Sequence, residues 1–513
     1  MALGFTYHHL PSLPSNAWSA SLQRKGETVH VFHGSGVEAR DRFFAEAVWN
    51  DSFDAEGMGK ATLFFGTGCH ICGVHAVFQT GSDQSAPLYS LRRKSELILS
   101  NSIYHLMVMA GTEPVRYYPF YTYDLLRNAR AGIGQPQGTL LHAGDGLLKV
   151  HFNTKVRIDR DLDVSFVNHH AVKEPVDFES LLGILRMEAD RLFRNGADGG
   201  RSSIYSQTVL VSAGYDSLMN GVVCAGLGSE CFLTVVDGRS TSPEADSGNL
   251  PMGFLGVHAH EVDRHVHYTH HEPPDAEFAL ASISNYPHLS GCEERLARTL
   301  LVNGSNGDVI WGACDYRFSG SDWLDWELLF LPCLTSTEHR LRVGYIDVGL
   351  QNMFIRHAQA VFGISASKEM DAFRVDPAYD RPIPRRVIEE SGIPRGSFAT
   401  RKMATGFKHF STPTNMHPDA LEAYRSFVDR SIPKGPVRWF SKGLYAIEHF
   451  LHRHWFRSHQ QRRNDDPDRF RLVAVDGFRI NVPWLQSFLF QWSFEELRGR
   501  YTAAASAKRS LKH

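Results

Sequence analysis

The chain has 513 residues, of which 42% are hydrophobic and 12% aromatic, and 54 basic residues nearly balance 56 acidic ones, leaving a formal charge of −2. This apolar content supports a buried core and excludes wholesale disorder. The balanced charge predicts no general attraction to nucleic acid or anionic lipid. No apolar run approaches the roughly 18 residues of a membrane helix, and the N-terminus is unlike a secretory signal. We therefore expect a cytoplasmic protein without membrane association.

The seven cysteines are scattered and odd in number, which indicates a reducing compartment and no disulfide framework. The motif Cys69-His-Ile-Cys72 has no second pair at zinc-site spacing, so structural thiols are expected.

The first half, up to about residue 174, is rich in short runs of strand-forming residues bounded by Gly, Asp and Asn. Residues 28–32, 61–65 and 147–152 are examples. Apolar residues recurring at intervals of three and four predict a helix over 178–193, and residues 194–203 have the composition of a linker.

After the linker, short apolar runs at 207–211, 231–236 and 299–303 alternate with helical segments. This alternation is typical of a parallel sheet covered by helices. Beyond about Asp376 the chain is predicted to be helical and basic, and residues 503–513 to fray.

A strand, a turn of small residues and a helix start follow one another in 209–223. Backbone N–H groups at such a helix start favour an anion, and Gly214 allows close backbone approach. Ser212 and Ser217 offer hydroxyl donors to phosphate. Asp216 would repel a phosphate unless a hard divalent cation such as Mg²⁺ lies between them. An ordinary capped turn is the structural alternative.

The segment Ser212-Ala-Gly-Tyr-Asp-Ser closely resembles the Ser-Gly-Gly-x-Asp-Ser pyrophosphate loop (PP-loop) of the ATP-pyrophosphatase superfamily, which includes asparagine synthetase. A second segment, 301–312, lies about ninety residues downstream and also follows a predicted strand. It is similar to the Ser-Gly-Asp-Gly-Gly-Asp-Glu-Leu-Phe-Gly-Gly loop that faces the PP-loop in asparagine synthetases. Gly304, Gly307, Asp308 and Gly312 are in register with that loop.

This resemblance implies that ATP and Mg²⁺ bind across the two loops, with Asp216 and Asp308 as metal ligands. The implied nucleotide-binding residues are Ser212, Ala213, Gly214, Asp216, Ser217, Val236, Gly304, Asn306 and Gly307. Residues 388–407 resemble a later family segment that supplies a lysine to the phosphates. Lys402 is the candidate catalytic cation, with Arg401 or Arg395 beside it, although a solvated basic patch is the alternative.

The stretch 84–106 is similar to part of the class II glutaminase domain, an Ntn-hydrolase-type fold. Such domains carry Cys directly after the initiator Met, whereas this chain begins Met1-Ala2 and has its first cysteine at Cys69. The resemblance therefore implies a degenerate glutaminase-like domain that lacks the nucleophile needed to release ammonia from glutamine.

Together these observations predict an α/β protein in which an Ntn-type α+β sandwich precedes a PP-loop (adenine nucleotide alpha hydrolase-like) α/β domain with a helical C-terminal part. The boundaries are 1–175 for the glutaminase-like domain, 176–205 for the linker, 206–435 for the asparagine synthetase-like domain and 436–513 for a basic helical extension. The resemblance covers most of 30–410.

The implied activity is an AMP-forming amide (C–N) ligase that joins a small-molecule carboxylate to an amine or ammonia. Ser305 and Val309 depart from the asparagine synthetase pattern, so the acid is expected to be neither aspartate nor a known lactam precursor. A PP-loop RNA-modifying enzyme is a rival, although the neutral charge argues against nucleic acid. A non-catalytic nucleotide-binding or scaffold protein is another, because Ala213 also departs from the pattern. A homodimer is also compatible with the sequence.

Six histidines lie between 258 and 271; on strands, His258/His260 and His265/His267 would share faces and could bind Zn²⁺. Ordinary polar histidines are the preferred interpretation. The cationic stretch 449–463 is interpreted as a solvated helix face rather than a nucleic-acid or acidic-partner contact.

Overall fold

The computed structural model of the protein describes residues 3–83, 85–115, 121, 125, 139–143, 146–239, 246–280, 286–312, 332–375, 380–399, 410, 415–431 and 488–511. These residues form a mixed α/β structure of three β-sheets with helices packed on them. None of the helices in this part of the chain is long and apolar enough to cross a bilayer.

The first two sheets are built from strands before residue 169, and their strands pair antiparallel except β1, which runs parallel to β3. One sheet has the order β1-β3-β2-β9-β8-β11-β10 and the other β13-β12-β7-β6-β5-β4. The strands are β1 Gly4–His9, β2 Trp18–Gln23, β3 Thr28–His33, β4 Glu38–Ala39, β5 Phe43–Trp49, β6 Phe64–Cys72, β7 His75–Gln79, β8 Leu88–Arg92, β9 Glu96–Ser100, β10 Thr139–Ala143, β11 Gly146–His151, β12 Thr154–Ile158 and β13 Val164–Asn168.

The two sheets pack face to face around a shared apolar core. Trp18 and Leu99 come from the first sheet and Phe44 and Phe78 from the second, with the Trp18 and Phe44 rings 4.9 Å apart. Alternate residues of each strand point to this core, as the period of two requires. The two sheets therefore form a layered part of the mixed α/β structure.

The predicted strands 28–32 and 147–152 are confirmed as β3 and β11, but the prediction for 61–65 is wrong at its start. Strand β6 begins only at Phe64. The N–H groups of Thr62 and Leu63 donate to the Asn50 side chain, at 3.1 and 3.0 Å, instead of to a neighbouring strand. A side-chain acceptor therefore delays the strand by three residues.

The predicted helix over 178–193 is confirmed and extends to Gly196. It begins with a reciprocal capping box in which Ser180 N donates to Asp177 Oδ1 at 2.8 Å and Asp177 N donates to Ser180 Oγ at 3.0 Å. The helices of the first half whose bounds lie in the described residues are α1 Ala55–Lys60, α2 Ile103–Ala110 and α3 Phe178–Gly196.

The third sheet is wholly parallel, as predicted, and has the order β16-β15-β14-β17-β18. After β14 the chain adds strands on one side of it, and with β17 it turns to the other side. Ligands in open parallel sheets bind at the carboxyl ends of the strands where this reversal occurs, which is between β14 and β17. The strands are β14 Ser206–Val211, β15 Cys231–Val236, β16 His260–Asp263, β17 Thr299–Val302 and β18 Ile346–Val348.

Helices pack on the parallel sheet and on the outer face of the first sheet. In the part of the second half that the structure describes, they are α4 Tyr215–Gly226, α5 Asn249–Gly253, α6 Glu293–Leu296, α7 Gly307–Ile310, α8 Pro332–Thr335, α9 Thr337–Val343, α10 Ala358–Ala366, α11 Pro382–Glu390, α12 Pro418–Ser431, α13 Leu489–Leu497 and α14 Thr502–Ser510.

The expectation that residues 503–513 fray is wrong for the part that the structure describes. Helix α14 continues to Ser510 and packs on α2 through the small buried side chains of Ala504 and Ala505. Lys508 Nζ, almost buried, lies 2.7 Å from Glu96 Oε1 of β9. Small apolar residues on one face thus let this helix dock closely.

Polar contacts cross between the sandwich and the parallel sheet. Arg340 of α9 and Glu46 of β5 form a fully buried ion pair, with Nη1–Oε2 and Nη2–Oε1 distances of 2.5 and 3.2 Å. Two residues 294 positions apart are therefore fixed against each other.

Candidate functional site

The first loop follows β14 and is held by its own two serines. Ser212 Oγ lies 2.7 Å from Ser217 Oγ, and the Gly214 N–H donates to Ser212 Oγ at 3.1 Å. The Ser212 N–H donates to Ser217 Oγ at 3.1 Å. The hydroxyls expected to contact phosphate therefore contact each other and close the turn.

Helix α4 starts directly from this turn, with Gly214 as its N-cap residue and no side-chain cap. Of the described residues, only the Ser212 hydroxyl comes within 4 Å of the position a β-carbon on Gly214 would take, at 3.3 Å. The first N–H groups of a helix have no partner within the helix. The start of α4 thus has the form of an anion-binding turn.

The second loop follows β17 and turns sharply at Asn306. This residue has φ 68°, in the left-handed region that asparagine tolerates better than most residues, and it precedes α7. The Ser305 N–H donates to Asn303 Oδ1 at 3.0 Å, which stabilises the turn.

The two loops touch, and the contact depends on glycine. A β-carbon on Gly304 would lie 2.7 Å from Ser217 N, and one on Gly307 would lie 2.5 Å from Asp216 Cβ. Asn220 of α4 reinforces the contact by donating from Nδ2 to the Asn303 carbonyl oxygen at 2.8 Å. The structure thus brings the two glycine turns together. Gly304 and Gly307, which the resemblance lists as nucleotide-binding residues, contact the first loop.

Asp216 forms an ion pair with Arg381, the residue before α11. Arg381 Nη1 lies 2.9 Å from Asp216 Oδ1 and 2.7 Å from Oδ2. The Arg381 side chain is 7% exposed and that of Asp216 21% exposed. Both carboxylate oxygens expected to face a magnesium ion therefore accept a hydrogen bond from a guanidinium group.

A second arginine joins α11 to the first loop. Arg385 donates to the Tyr215 hydroxyl, and its guanidinium carbon lies 5.0 Å from the centre of the Tyr215 ring. Burial lowers the Arg385 pKa from its ordinary value. Together Arg381 and Arg385 fix the N-terminal end of α11 against the start of α4.

The predicted catalytic cations Lys402 and Arg401 lie outside the described residues. The Ala399 N–H, shortly before them, donates to the Ala213 carbonyl oxygen at 2.7 Å. The chain therefore passes the first loop shortly before Arg401. Arg395 is engaged elsewhere, because its Nε and Nη2 lie 2.7 Å from the two Glu389 carboxylate oxygens.

Asp308, Val236 and Gly312 are the remaining predicted residues. Asp308 is half-buried in the first turn of α7. Val236 ends β15, and its carbonyl oxygen accepts from Arg264 N at 2.8 Å. Gly312 is the last described residue before the gap at 313–331.

A buried polar chain runs from the second loop to the sandwich. Asn306 Nδ2 lies 3.4 Å from Asn352 Oδ1, and Asn352 Nδ2 donates to Asp83 Oδ2 at 2.9 Å. Burial raises the Asp83 pKa. The turn between β7 and β8 thus supports the second loop through this polar chain.

Asp347 of β18 lies beside this chain. Its Oδ1 is 3.4 Å from Asn303 Nδ2. Burial raises the Asp347 pKa to about 7; Arg340 opposes the rise, and Asp83 and Glu46 add to it. A carboxyl group beneath the second loop therefore titrates near neutral pH.

Sequence reasoning missed Arg381, Asn220, Asn352 and Asp83. Only Asn220 left a signal, as the one amide side chain within the otherwise apolar run 218–223. The others act through partners far away along the chain, which local periodicity does not reveal.

The histidine stretch is not extended as the zinc alternative required. Only His260–Asp263 is a strand, and residues 266–269 form a 3₁₀ helix. His265 Nε2 lies 3.3 Å from Asp237 Oδ1, and buried His267 lies 3.1 Å from the Asn415 carbonyl oxygen. In the described ranges, no group of three or more His, Cys, Asp or Glu residues could hold a metal ion.

Cys69 and Cys72 lie on β6, where Cys69 is buried and Cys72 exposed. Three positions apart on a strand, they point to opposite faces. The cationic stretch 449–463 lies outside the described residues.

The chain matches no protein-family model and no curated protein. Among solved structures, it is similar to the glutamine-dependent NAD+ synthetase of Acinetobacter baumannii in complex with ADP, with 13% identity and a TM-score of 0.21. The match covers 56% of this chain and 51% of that one, so the chain spans about half the length of the synthetase.

Proposed function

We propose that the protein is an ATP-dependent, AMP-forming amide ligase that binds its nucleotide at the two touching loops. The observation that carries the proposal is the packing of Gly304 and Gly307 on Ser217 and Asp216, at the carboxyl edge of a parallel sheet where the strand order reverses. Two unrelated turns have no reason to need glycine at each point of contact.

The nucleotide phosphates fit the start of α4. The turn at Gly214 has no side-chain cap, and a phosphate oxygen there would accept hydrogen bonds from the first N–H groups of the helix. The resemblance implies that Lys402 supplies a positive charge to the phosphates, and the hydrogen bond from Ala399, three residues earlier, to Ala213 of the first loop supports this proposal. A cation there would stabilise the negative charge on the departing pyrophosphate.

A divalent cation fits this site only in part. Asp216 and Asp308 provide carboxylates of the kind that Mg²⁺ binds, but both Asp216 oxygens accept from Arg381. If Arg381 releases Asp216, these two residues would hold the cation, which orients the phosphates when bound.

In the proposed reaction a substrate carboxylate oxygen attacks the α-phosphorus, and the bond to pyrophosphate breaks. The amine or ammonia nitrogen then attacks the acyl carbon of the adenylate, AMP leaves, and the nitrogen loses a proton. The protein's own contribution is to position the reactants and stabilise charge, because this chemistry needs no covalent nucleophile.

The test is pyrophosphate release by the full chain over a panel of carboxylates and amines. We expect release that depends on the carboxylate and is lost in Asp308→Asn, whereas Asp190→Asn on α3, whose carboxylate pairs with Arg194 at the surface, retains it. Absence of ATP binding would contradict the proposal, and RNA-dependent AMP formation would favour an RNA-modifying enzyme.

A second candidate is a non-catalytic nucleotide-binding protein, and the ion pair between Asp216 and Arg381 favours it. A carboxylate neutralised by arginine does not require a metal. ATP binding without pyrophosphate release for every acid and amine tested would support this candidate.

A further inference from the structure

Arg381 occupies the carboxylate that the proposed nucleotide site needs for a cation. Its Nη1 contacts both Asp216 oxygens, at 2.9 and 2.7 Å, and its side chain is almost buried. A guanidinium group and a divalent cation both seek the same carboxylate oxygens, so they cannot both have their preferred geometry there.

The surrounding contacts hold this pair in place. Gly307 lies against the Asp216 side chain, so a β-carbon there would be 2.6 Å from Asp216 Cγ. On the other side, Pro382 at the first position of α11 restricts the backbone next to Arg381. Arg385, one turn later, anchors α11 to Tyr215. The carboxylate therefore has little room to turn away from Arg381.

We propose that Arg381 competes with the divalent cation for Asp216, so that Arg381 sets the cation concentration at which the site binds nucleotide. The proposal deepens the ligase function and rests on it for the nucleotide. Its cation part can be measured without nucleotide.

The first test measures Mn²⁺ binding alone, by electron paramagnetic resonance, to the full chain. In Arg381→Gln the Asp216 carboxylate loses its competing positive charge, and because it is 21% exposed it can be solvated when empty. We expect Mn²⁺ to bind about tenfold more tightly than in the wild type, the equivalent of about 1.4 kcal/mol. The double variant Asp216→Asn/Arg381→Gln should lose this gain.

The matched control is Arg194→Gln, which removes an exposed arginine of α3 that pairs with Asp190 and not with Asp216. It should bind Mn²⁺ as the wild type does. Arg381→Met serves as a second variant, and thermal unfolding of each protein verifies that it is folded.

The second test measures binding of a fluorescent ATP analogue while Mg²⁺ is titrated. We expect the half-saturating Mg²⁺ concentration to fall about tenfold in Arg381→Gln and to stay unchanged in Arg194→Gln. Folded Arg381 variants with unchanged Mn²⁺ affinity and unchanged Mg²⁺ dependence would overturn the competition.

The two tests separate the two proposals. Tighter Mn²⁺ binding without any nucleotide binding would contradict the ligase function and leave the competition for Asp216 standing. If nucleotide binds but the half-saturating Mg²⁺ concentration is the same in the wild type and in the Arg381 variants, only the proposed competition is contradicted.

Discussion

Gly307 lies so close to Asp216 that a β-carbon at residue 307 would come within 2.5 Å of Asp216 Cβ and 2.8 Å of Oδ1. Real β-carbons do not tolerate such distances, so any side chain here must push the second loop away from the first. The separation of the loops is thus fixed by the absence of a side chain.

Gly307→Ala should therefore weaken nucleotide binding and lower the free energy of unfolding by about 1–3 kcal/mol. Isothermal titration with ATP and urea unfolding measure the two effects. Gly183→Ala, in the middle of α3 with no described atom within 4 Å of its β-carbon, is the control. It should leave binding unchanged and stabilise the helix by up to about 1 kcal/mol.

Asn352→Asp should destabilise the protein, because it places a second carboxylate 2.9 Å from Asp83. The double variant Asp83→Asn/Asn352→Asp exchanges donor and acceptor and should recover most of the loss. The amide that it introduces at position 83 could still accept from Ser85 and donate to the carboxylate introduced at position 352. Urea unfolding at pH 7 tests this exchange, and a double variant no more stable than Asn352→Asp would show that the contact does not form.

The raised Asp347 pKa predicts a pH dependence of stability. Between the ordinary pKa of 3.8 and about 7, the folded protein holds a proton that the unfolded chain has lost. The protonated Asp347 therefore makes its full contribution to the free energy of unfolding below pH 3.8. This contribution decreases as the pH rises to about 7, by at most about 1.4 kcal/mol per pH unit. The pKa values of Asp83 and Glu338 are also raised by burial and act in the same direction.

Asp347→Asn cannot ionise, so its stability relative to the wild type should increase from pH 5 to pH 8. Unfolding in urea at four pH values measures the difference. For Asp190→Asn, on the partly exposed side of α3, the free energy of unfolding should change with pH as it does in the wild type. If the free energy of unfolding of Asp347→Asn also changed with pH in parallel with the wild type, the raised pKa of Asp347 would be contradicted.

Removing one partner of the Glu46–Arg340 pair should strongly destabilise the protein, because the charge of the other partner stays buried without this counter-ion. Glu46→Gln or Arg340→Met should each cost about 3–5 kcal/mol, and the double variant Glu46→Leu/Arg340→Met should cost less than their sum. A thermodynamic cycle of these variants measures the coupling. Glu56→Gln, whose partner Lys60 is exposed, should leave the unfolding midpoint unchanged.

Local pattern was enough to predict three of the five strands of the parallel sheet, β14, β15 and β17. Strand β15 coincides with the predicted run 231–236, because this apolar segment is bounded by Glu230 on one side and Asp237-Gly238 on the other. The helix over 178–193 was equally evident from the spacing of its apolar residues. Such signals lie within the element that they define.

Partners distant in sequence could not be predicted in this way. The start of β6 depends on Asn50, the docking of α14 depends on α2, and the ion pair of Asp216 depends on Arg381, 165 residues later. Each is decided by which surfaces meet in three dimensions. The proximity of the two loops came from a family resemblance and not from residue periodicity.

The polar contacts that join Asp83 to Asn352 and Glu46 to Arg340 also bear on how this polypeptide could be shortened. In a fragment starting near residue 206, Arg340 and Asn352 would be exposed to water and would lack their partners Glu46 and Asp83. The turn at Asn306 would then lose the support that it receives through Asn352. The N-terminal half therefore acts as scaffolding for the opposite half, and removing it would also remove the contacts that hold the second loop in place.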